Sequence, residues 1–472
     1  MKKTLIGCAI AGAVFAGPAL AADLPDMVVF ITDDQSLHDS NHYGNKDLKT
    51  PNMNMLAEKG IKFNNAFVAS PNSGPSRGAM LTGLMPSRNG AEANQTHPRD
   101  DIKKLPAYFQ ELGYEVAAFG KVAHSDAERY GFDISKSTEG FIWEGGIKDA
   151  VEYLNDRDKN ANNKPLLMFV GTKDPHVPWP ENNGFDPDAL TVPEQFVDTK
   201  MTREYLARYY TAVEQADTQL GEVYKLVQDK LDNPLFIHTS DNGAQLPFSK
   251  WDLYDMGVRV PFVASWPSHI EEGIETDAMI SWVDLLPTLL AVAGGEQPKG
   301  LDGKSFADVL YAPSTVHREK IYSTASGDSG INKFPIRSVQ DAEFKYILNL
   351  YPEMKHDTHI NISGASDGRE YWDSWREKAK VDSKANSIVY RYYYRPSEEL
   401  YDAKNDPNQL NNLADDPQYA NRMKAMREDL ERWMNEQGDK RILYKDPIGF
   451  KMKTLMGLSK ALFFEEEEDF QR

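Results

Sequence analysis

The stretch MVVFITDD, residues 27–34, is an unbroken apolar run that ends abruptly in two carboxylates. A strand with one wet face alternates apolar and polar side chains. A run that is apolar throughout fits a strand covered on both faces, as in a parallel sheet. PLLMFVGTKDPH (165–176) and PLFIHTSDNG (234–243) have the same form, and the second also closes on a pair of oxygen ligands. Helical patterns lie around them. PNMNMLAEKG (51–60) reads as a helix stopped by glycine, and LPAYFQELGYEVAAFGK (105–121) as helix, turn at Gly113 and strand. REYLARYYTAVEQADTQLGEVYKLVQDKL (203–231) is a long amphipathic helix and DLLPTLLAVAG (284–294) a short one. Such alternation predicts an α/β fold with a mostly parallel sheet flanked by helices.

The texture changes after about residue 315. IRSVQDAEFKYILNLYP (336–352) alternates like a single half-exposed antiparallel strand, and residues 355–388 read as loop with some helix. YRYYYRPSEELYD (390–402) is aromatic and basic, and a helix is expected at about 415–437. The tail FFEEEEDF (463–470) is an acidic run of the kind found at solvated termini. The expected organisation is a signal segment at 1–21, a catalytic domain at 22–315, and a C-terminal α+β subdomain at 316–472 with a small antiparallel sheet. A chain of 472 residues is long for one core, which agrees with this division.

The formal net charge of −19 argues against nucleic acid and against anionic membrane surfaces. An anion could bind only in a local basic pocket. The opening MKKTLIGCAIAGAVFAGPALAADLP has a positive start (Lys2, Lys3), a short apolar core and small residues at Ala19-Leu20-Ala21. It reads as a secretory signal cleaved after Ala21, too short to span a bilayer. Cys8, the one cysteine, would leave with it. The expectation is an exported, periplasmic protein without membrane insertion, disulfide, thiolate metal site or cysteine nucleophile.

Asp33-Asp34 and Asp241-Asn242 each close a buried strand. One such pair is ordinarily a turn or helix cap. Two pairs at the C-terminal ends of parallel strands, where crevices form, point to a divalent cation. No HExxH or His₂-carboxylate spacing occurs, so calcium or magnesium fits better than zinc. Lys121 and His124 in GKVAH, His176 in DPHVPW, and Lys250 surround these strand ends in the expected fold. Singly, a histidine is usually structural and a lysine a surface charge. Converging beside a metal they would suit a tetrahedral anion, phosphate or sulfate. SPNSGPSRGAMLTG (70–83) crowds three serines into turn chemistry; by itself it is a loop leading into a helix.

SGPSRGAMLTG (73–83) resembles the sulfatase signature: Cys or Ser, any residue, Pro, any residue, Arg, then a short spacer to Thr-Gly. Only Ser73 has proline at +2 and arginine at +4; Ser70 and Ser76 do not fit. TDD, GKVAH, DPHVPW, TSDNG, KWDLYDMGVRVPFVASWP and ELYDAKNDPNQLNNLADDP are similar to successive motifs of that family, in its order, over roughly residues 26–438. The resemblance implies the alkaline-phosphatase-like α/β fold. IRSVQDAEFKYILNL and YYYRPSEELYD resemble C-terminal segments of the heparan N-sulfatase (N-sulfoglucosamine sulfohydrolase) subgroup, although Lys250 stands where that subgroup carries arginine.

In this family the signature residue is oxidised to formylglycine (3-oxoalanine). A plain serine attacking sulfur would end as a sulfate ester needing a second attack, whereas a hydrated aldehyde can expel sulfate by losing the proton of its other hydroxyl. The resemblance implies formylglycine at Ser73, made before export by a serine-type radical-SAM maturase. It implies Ca²⁺ held by Asp33, Asp34, Asp241, Asn242 and the modified Ser73. Arg77 would orient the hydrate, and Lys121 and Lys250 would neutralise sulfate oxygens. His124 would take the proton that triggers sulfate release, and His176 would protonate the departing group. The implied substrate is a sulfated oligosaccharide: a glycosaminoglycan with N- or O-sulfo groups, or an algal polysaccharide such as ulvan or carrageenan. Two other readings stay open: a phosphatase or phosphodiesterase of the same superfold using unmodified Ser73, and a catalytically dead protein that binds sulfated glycans.

Overall fold

The computed structural model describes residues 24–124, 127–136, 145–159, 162–328, 334–362, 364 and 368–441. The expected signal segment and the acidic run at 463–470 lie outside the described residues.

Eight strands form the main sheet: β1 (Met27–Thr32), β2 (Ile61–Phe67), β3 (Glu115–Gly120), β4 (Ile134–Lys136), β5 (Leu166–Gly171), β6 (Leu235–Ser240), β7 (Phe262–Ser265) and β8 (Ile274–Ser281). Their order is β4-β3-β5-β1-β6-β7-β2-β8. β1 lies at the centre, parallel to both β5 and β6, with Val29 opposite Phe169 on one side and Ile237 on the other. The strand alternation sorts its side chains between two cores. Met27, Val29 and Ile31 join Leu167, Phe169 and Leu289 on one face. Val28 and Phe30 join Met168, Phe236 and the helix residues Leu220 and Val223 on the other. Both faces are dry, which is why the strand reads as a continuous apolar run.

That second face is covered by the long helix Lys200–Lys230, whose N-cap Thr199 accepts a hydrogen bond from the Thr202 amide. Strand ends approach closely where the site forms. A Cβ on Gly171 would lie 2.0 Å from the Lys121 carbonyl oxygen, so only glycine fits there.

A second sheet, order β12-β11-β10-β9, is antiparallel throughout: β9 (Ile321–Ala325), β10 (Ile336–Gln340), β11 (Phe344–Asn349) and β12 (Glu398–Asp402). The helix Ala420–Glu436 packs on it, with Trp433 stacked on Tyr322 at 4.5 Å. The expected single strand at 336–352 is in fact a hairpin, β10 and β11. The Asp341 carboxylate caps its turn by accepting the Glu343 and Phe344 amides. Residues 355–388 hold more helix than expected, with helices at His359–Ile362 and Arg369–Ala379 and a third starting at Ser383. No helix among the described residues is long and apolar enough to cross a membrane.

Candidate active site

Strand direction explains where the polar residues meet. β3, β5, β1 and β6 run in parallel. β7 is antiparallel to both β6 and β2, so β2 points the same way as β6. The chain therefore leaves five co-directional strands at one edge. Asp33-Asp34 follow β1, Lys121 follows β3, His176 follows β5, Asp241-Asn242 follow β6, and the segment carrying Ser73 follows β2. This is the crevice that open α/β sheets offer to ligands.

Ser73 is the first residue of a buried ten-residue helix, Ser73–Thr82, closed by Gly83 in the left-handed region at φ 65°. The expected loop thus turns helical at Ser73 itself, and the positive end of the helix faces the crevice. Ser73 Oγ lies 3.5 Å from Asp33 Oδ1, 3.3 Å from Asn242 Oδ1 and 3.5 Å from Lys121 Nζ. Arg77, one turn on, braces the carboxylates. Its Nε donates to Asp241 Oδ2 at 2.8 Å, its Nη2 is 3.3 Å from Asp33 Oδ1, and its Nη1 donates to the Lys121 carbonyl. Lys121 Nζ is 2.6 Å from Asp33 Oδ2, and Lys250 Nζ is 2.7 Å from Asp34 Oδ2. His176 Nε2 stands 3.7 Å from the same Asp34 oxygen. Of the ten residues expected at the site, all but His176 are buried, and the His176 side chain keeps 19% exposure.

Asp33, Asp34 and Asp241 each offer an oxygen within 4.8 Å of the others. Asn242 Nδ2 donates to Asp34 Oδ1 at 2.8 Å, which turns its carbonyl oxygen toward Ser73. The donor set is all oxygen, acidic and dry, so it fits a hard divalent cation. Arg77, Lys121 and Lys250 bring three cationic side chains to balance the three carboxylates. A cation then leaves the pocket with net positive charge for an anionic substrate.

The electrostatics follow from burial and neighbours. Burial raises the Asp33 carboxyl, but Lys121, His176 and Arg77 together hold it below its usual range. Burial lowers the Lys121 ammonium more than Asp33 restores it. Burial also lowers Lys250, but Asp34, Asp33 and Asp241 outweigh this and raise it. Burial, then Lys121 and Arg77, push the His124 imidazole well below its ordinary value. Burial and Lys250 lower His176 too, against the opposing pull of Asp34.

Several further residues belong to the site without having been assigned a role from sequence. Gln95 Oε1 accepts from His124 Nε2 at 3.0 Å, and Asn94 Oδ1 accepts the Gly74 amide at 3.0 Å. A Cβ on Gly74 would meet that oxygen at 3.1 Å, so the 94–95 loop sits directly on the serine turn. Ser76, which does not fit the signature as a nucleophile, donates to the Asp241 carbonyl at 2.6 Å and fixes the helix to the segment carrying Asp241 and Asn242. Trp251 lies under Lys250, whose Nζ is 5.0 Å from its ring centroid, and stacks on His359 at 4.8 Å.

A serine at a helix N-terminus, clasped by acidic oxygen ligands and buried cations, defines a site for hydrolysing an ester of a tetrahedral oxyanion. The comparisons specify which. The sulfatase family model matches residues 25–295, and the model for the N-sulphoglucosamine sulphohydrolase C-terminal region matches residues 243–357. An ulvan-active sulfatase of Formosa agariphila is 33% identical, over 92% of this chain and 84% of its own. Human N-sulphoglucosamine sulphohydrolase is 26% identical, over 90% and 93%. A solved structure in complex with its substrate D-glucosamine-2-N,6-O-disulfate superposes with a TM-score of 0.67 at 22% identity, covering 88% of this chain and 99% of that one. The chain belongs to the sulfatase family, and its fold is the family's alkaline-phosphatase-like one.

Proposed function

We propose that this sulfatase removes sulfate from a sulfated oligosaccharide outside the cytoplasm, using formylglycine made from Ser73 and Ca²⁺ held by Asp33, Asp34, Asp241 and Asn242. The observation that carries the reading is the convergence on Ser73 Oγ of Asp33, Asn242 and Lys121 within 3.5 Å. A hydrated aldehyde at residue 73 would supply a geminal diol as nucleophile, and a cation held by Asp33, Asp34, Asp241 and Asn242 would polarise the sulfate and lower the hydroxyl pKa.

The chain's own residues do the rest. Arg77 fixes Asp33 and Asp241 and keeps the ligand set in register with the helix that carries residue 73. Lys121 and Lys250 bind the outer sulfate oxygens, where dry surroundings strengthen charge pairing. His124, held neutral by burial and by its cationic neighbours, donates from Nε2 to the Gln95 amide oxygen, which leaves the lone pair on Nδ1 to accept a proton during sulfate release. His176, the least buried member of the set, donates a proton to the departing sugar oxygen. Asp34, 3.7 Å from His176 Nε2, favours its charged form and opposes the lowering by burial and Lys250.

The substrate class rests on the relatives. The 33% identical protein is named for action on ulvan, and a second relative for N-sulphoglucosamine. A secreted enzyme meeting extracellular glycans agrees with both. The test is sulfate release from a panel of ulvan, carrageenan and glycosaminoglycan oligosaccharides of defined sulfation, using protein co-expressed with a serine-type maturase. Release from at least one sulfated sugar, lost on chelation and regained with Ca²⁺, supports the reading. Turnover of phosphate esters alone by protein with unmodified Ser73 would replace it with the phosphatase reading.

A further inference from the structure

Lys250 reaches Asp34 from a turn whose backbone is held in an unfavourable shape. Phe248 and Trp251 both have positive φ, 62° and 77°. Bulky residues adopt this region only where the surroundings over-determine it. Inside the turn, the Lys250 amide donates to the Ala244 carbonyl at 2.9 Å and the Asp252 amide to the Ser249 carbonyl at 2.9 Å. Gly257 closes the back: a Cβ there would lie 2.2 Å from the Ser249 oxygen and 2.3 Å from that of Asp252.

Ser36 Oγ meets the turn at Ser249 Oγ, 3.3 Å away, and the charged side chains that fix it come from after β11. Asp252 is fully buried, with Oδ1 2.9 Å from Arg395 Nη2 and 3.2 Å from His356 Nε2. The Arg395 guanidinium also lies over the rings of Tyr254 at 4.9 Å and Phe248 at 5.8 Å, so one cation touches both flanks of Lys250. Burial lowers the Asp252 carboxyl's tendency to ionise, but Arg395 and His356 outweigh it and hold its pKa below the usual range. The turn meets the crevice through Lys250, whose Nζ is 2.7 Å from Asp34 Oδ2.

We infer that Asp252 and Arg395 are positioning residues for Lys250: their buried ion pair holds the strained 248–252 turn in the shape that aims the Lys250 ammonium at the sulfate site. The aromatic and basic segment at 390–395 thereby acts in the catalytic crevice without entering it. The inference rests on the reading of Lys250 as a sulfate partner.

The test is the binding of inorganic sulfate, with Ca²⁺ present, to the full mature chain, read as a dissociation constant by calorimetry. Four proteins are compared: the parent, Lys250→Ala, Asp252→Asn, and the double variant. Lys250→Ala is expected to weaken sulfate by about tenfold and Asp252→Asn by about fivefold, with the double variant no weaker than Lys250→Ala alone, because residues acting through one group are not additive. Arg395→Lys keeps a cation for Asp252 but loses the planar group over Tyr254 and Phe248, so it should bind between the parent and Asp252→Asn. Parent-like binding by Asp252→Asn, or a double variant weakened by the product of the two single effects, overturns the inference. Parent-like binding by Lys250→Ala removes the sulfate role of Lys250 itself, which the Asp252 result does not test, and the inference falls with it. If Asp252→Asn does not fold, Arg395→Met carries the same cycle with the same two readings.

Discussion

Lys121 Nζ lies 2.6 Å from Asp33 Oδ2 and 3.5 Å from Ser73 Oγ, with the Lys121 and Asp33 side chains fully excluded from solvent. One ammonium therefore serves a metal ligand and the nucleophile position together. Removing it leaves the buried Asp33 with the longer 3.3 Å contact to Arg77 as its remaining cation, so the cost falls below the roughly 3–5 kcal/mol of a wholly unpaired buried charge. Lys121→Met should lower the melting temperature markedly without Ca²⁺. Added Ca²⁺ should raise the melting temperature of the variant more than that of the parent, because a cation at Asp33 supplies the missing charge. Turnover should stay low in both conditions. Equal Ca²⁺ shifts in the two proteins would place the cation elsewhere.

Maturation predicts a mass signature. The peptide containing Ser73-Gly74-Pro75-Ser76-Arg77 should be lighter by two hydrogens in active enzyme, and activity should scale with the converted fraction across preparations. Ser73→Ala should fold and melt near the parent temperature, since Ser73 is the first residue of its helix and makes only bonds of 3.3–3.5 Å with its side chain. It should show no turnover. Full activity in wholly unconverted protein would rule out the aldehyde chemistry.

The pH dependence of stability has two windows. His238 sits on β6 with no exposure, and burial lowers its imidazole to about 3 from 6.5. The unfolded chain binds that proton below 6.5 and the folded one does not, so the contribution is complete above 6.5 and is lost as pH falls toward 3. Each such group imposes a slope of up to about 1.4 kcal/mol per pH unit. Asp284 belongs to a lower window. Burial raises it, but Arg318 and His317 hold it below 3.8, so its contribution is present above 3.8 and is lost only as pH falls below that value. Melting temperatures measured from pH 8 to 3 should decline from about 6.5, and His238→Phe should flatten the upper limb while leaving the fall below 4. Asp284→Asn should do the reverse, with a lower melting temperature at neutral pH.

What could be read from the chain divides along physical lines. β1, β5 and β6 are legible because both faces are dry, and their closing acids are legible because nothing local explains two carboxylates after an apolar run. β2 was missed: Lys62, Asn64 and Asn65 interrupt its pattern, and the structure shows them paired with Glu275 and Asp277 of β8. Those partners lie more than two hundred residues away, so no window of sequence contains them. The same holds for the site. Asp33, Asp34, Asp241, Asn242, Lys121 and His176 announce themselves by closing strands or following them. Gln95 and Trp251 belong to loops whose positive-φ residues have no glycine to mark them. The hairpin at 336–352 looked like one strand because Asp341 caps its turn without glycine or proline.

The two histidines should separate by substrate. His176 is partly buried, with 19% of its side chain exposed, while His124 is buried against Gln95. A proton donor matters in proportion to how badly the leaving group needs one: a sugar alkoxide needs it, and a nitrophenolate leaves readily without it. General acid catalysis is worth roughly 10²–10⁴-fold where the proton is required and far less where it is not. His176→Ala should therefore lose most of its activity on the sulfated sugar and retain much of it on nitrophenyl sulfate. His124→Ala acts after the leaving group has gone, so its steady-state loss should be similar on both substrates. The measurement is kcat and kcat/KM for both variants on an aryl and a sugar sulfate, with the converted fraction at residue 73 matched by mass. Equal losses for His176→Ala on the two substrates, or a sugar-selective loss in His124→Ala, would exchange or remove the assigned roles.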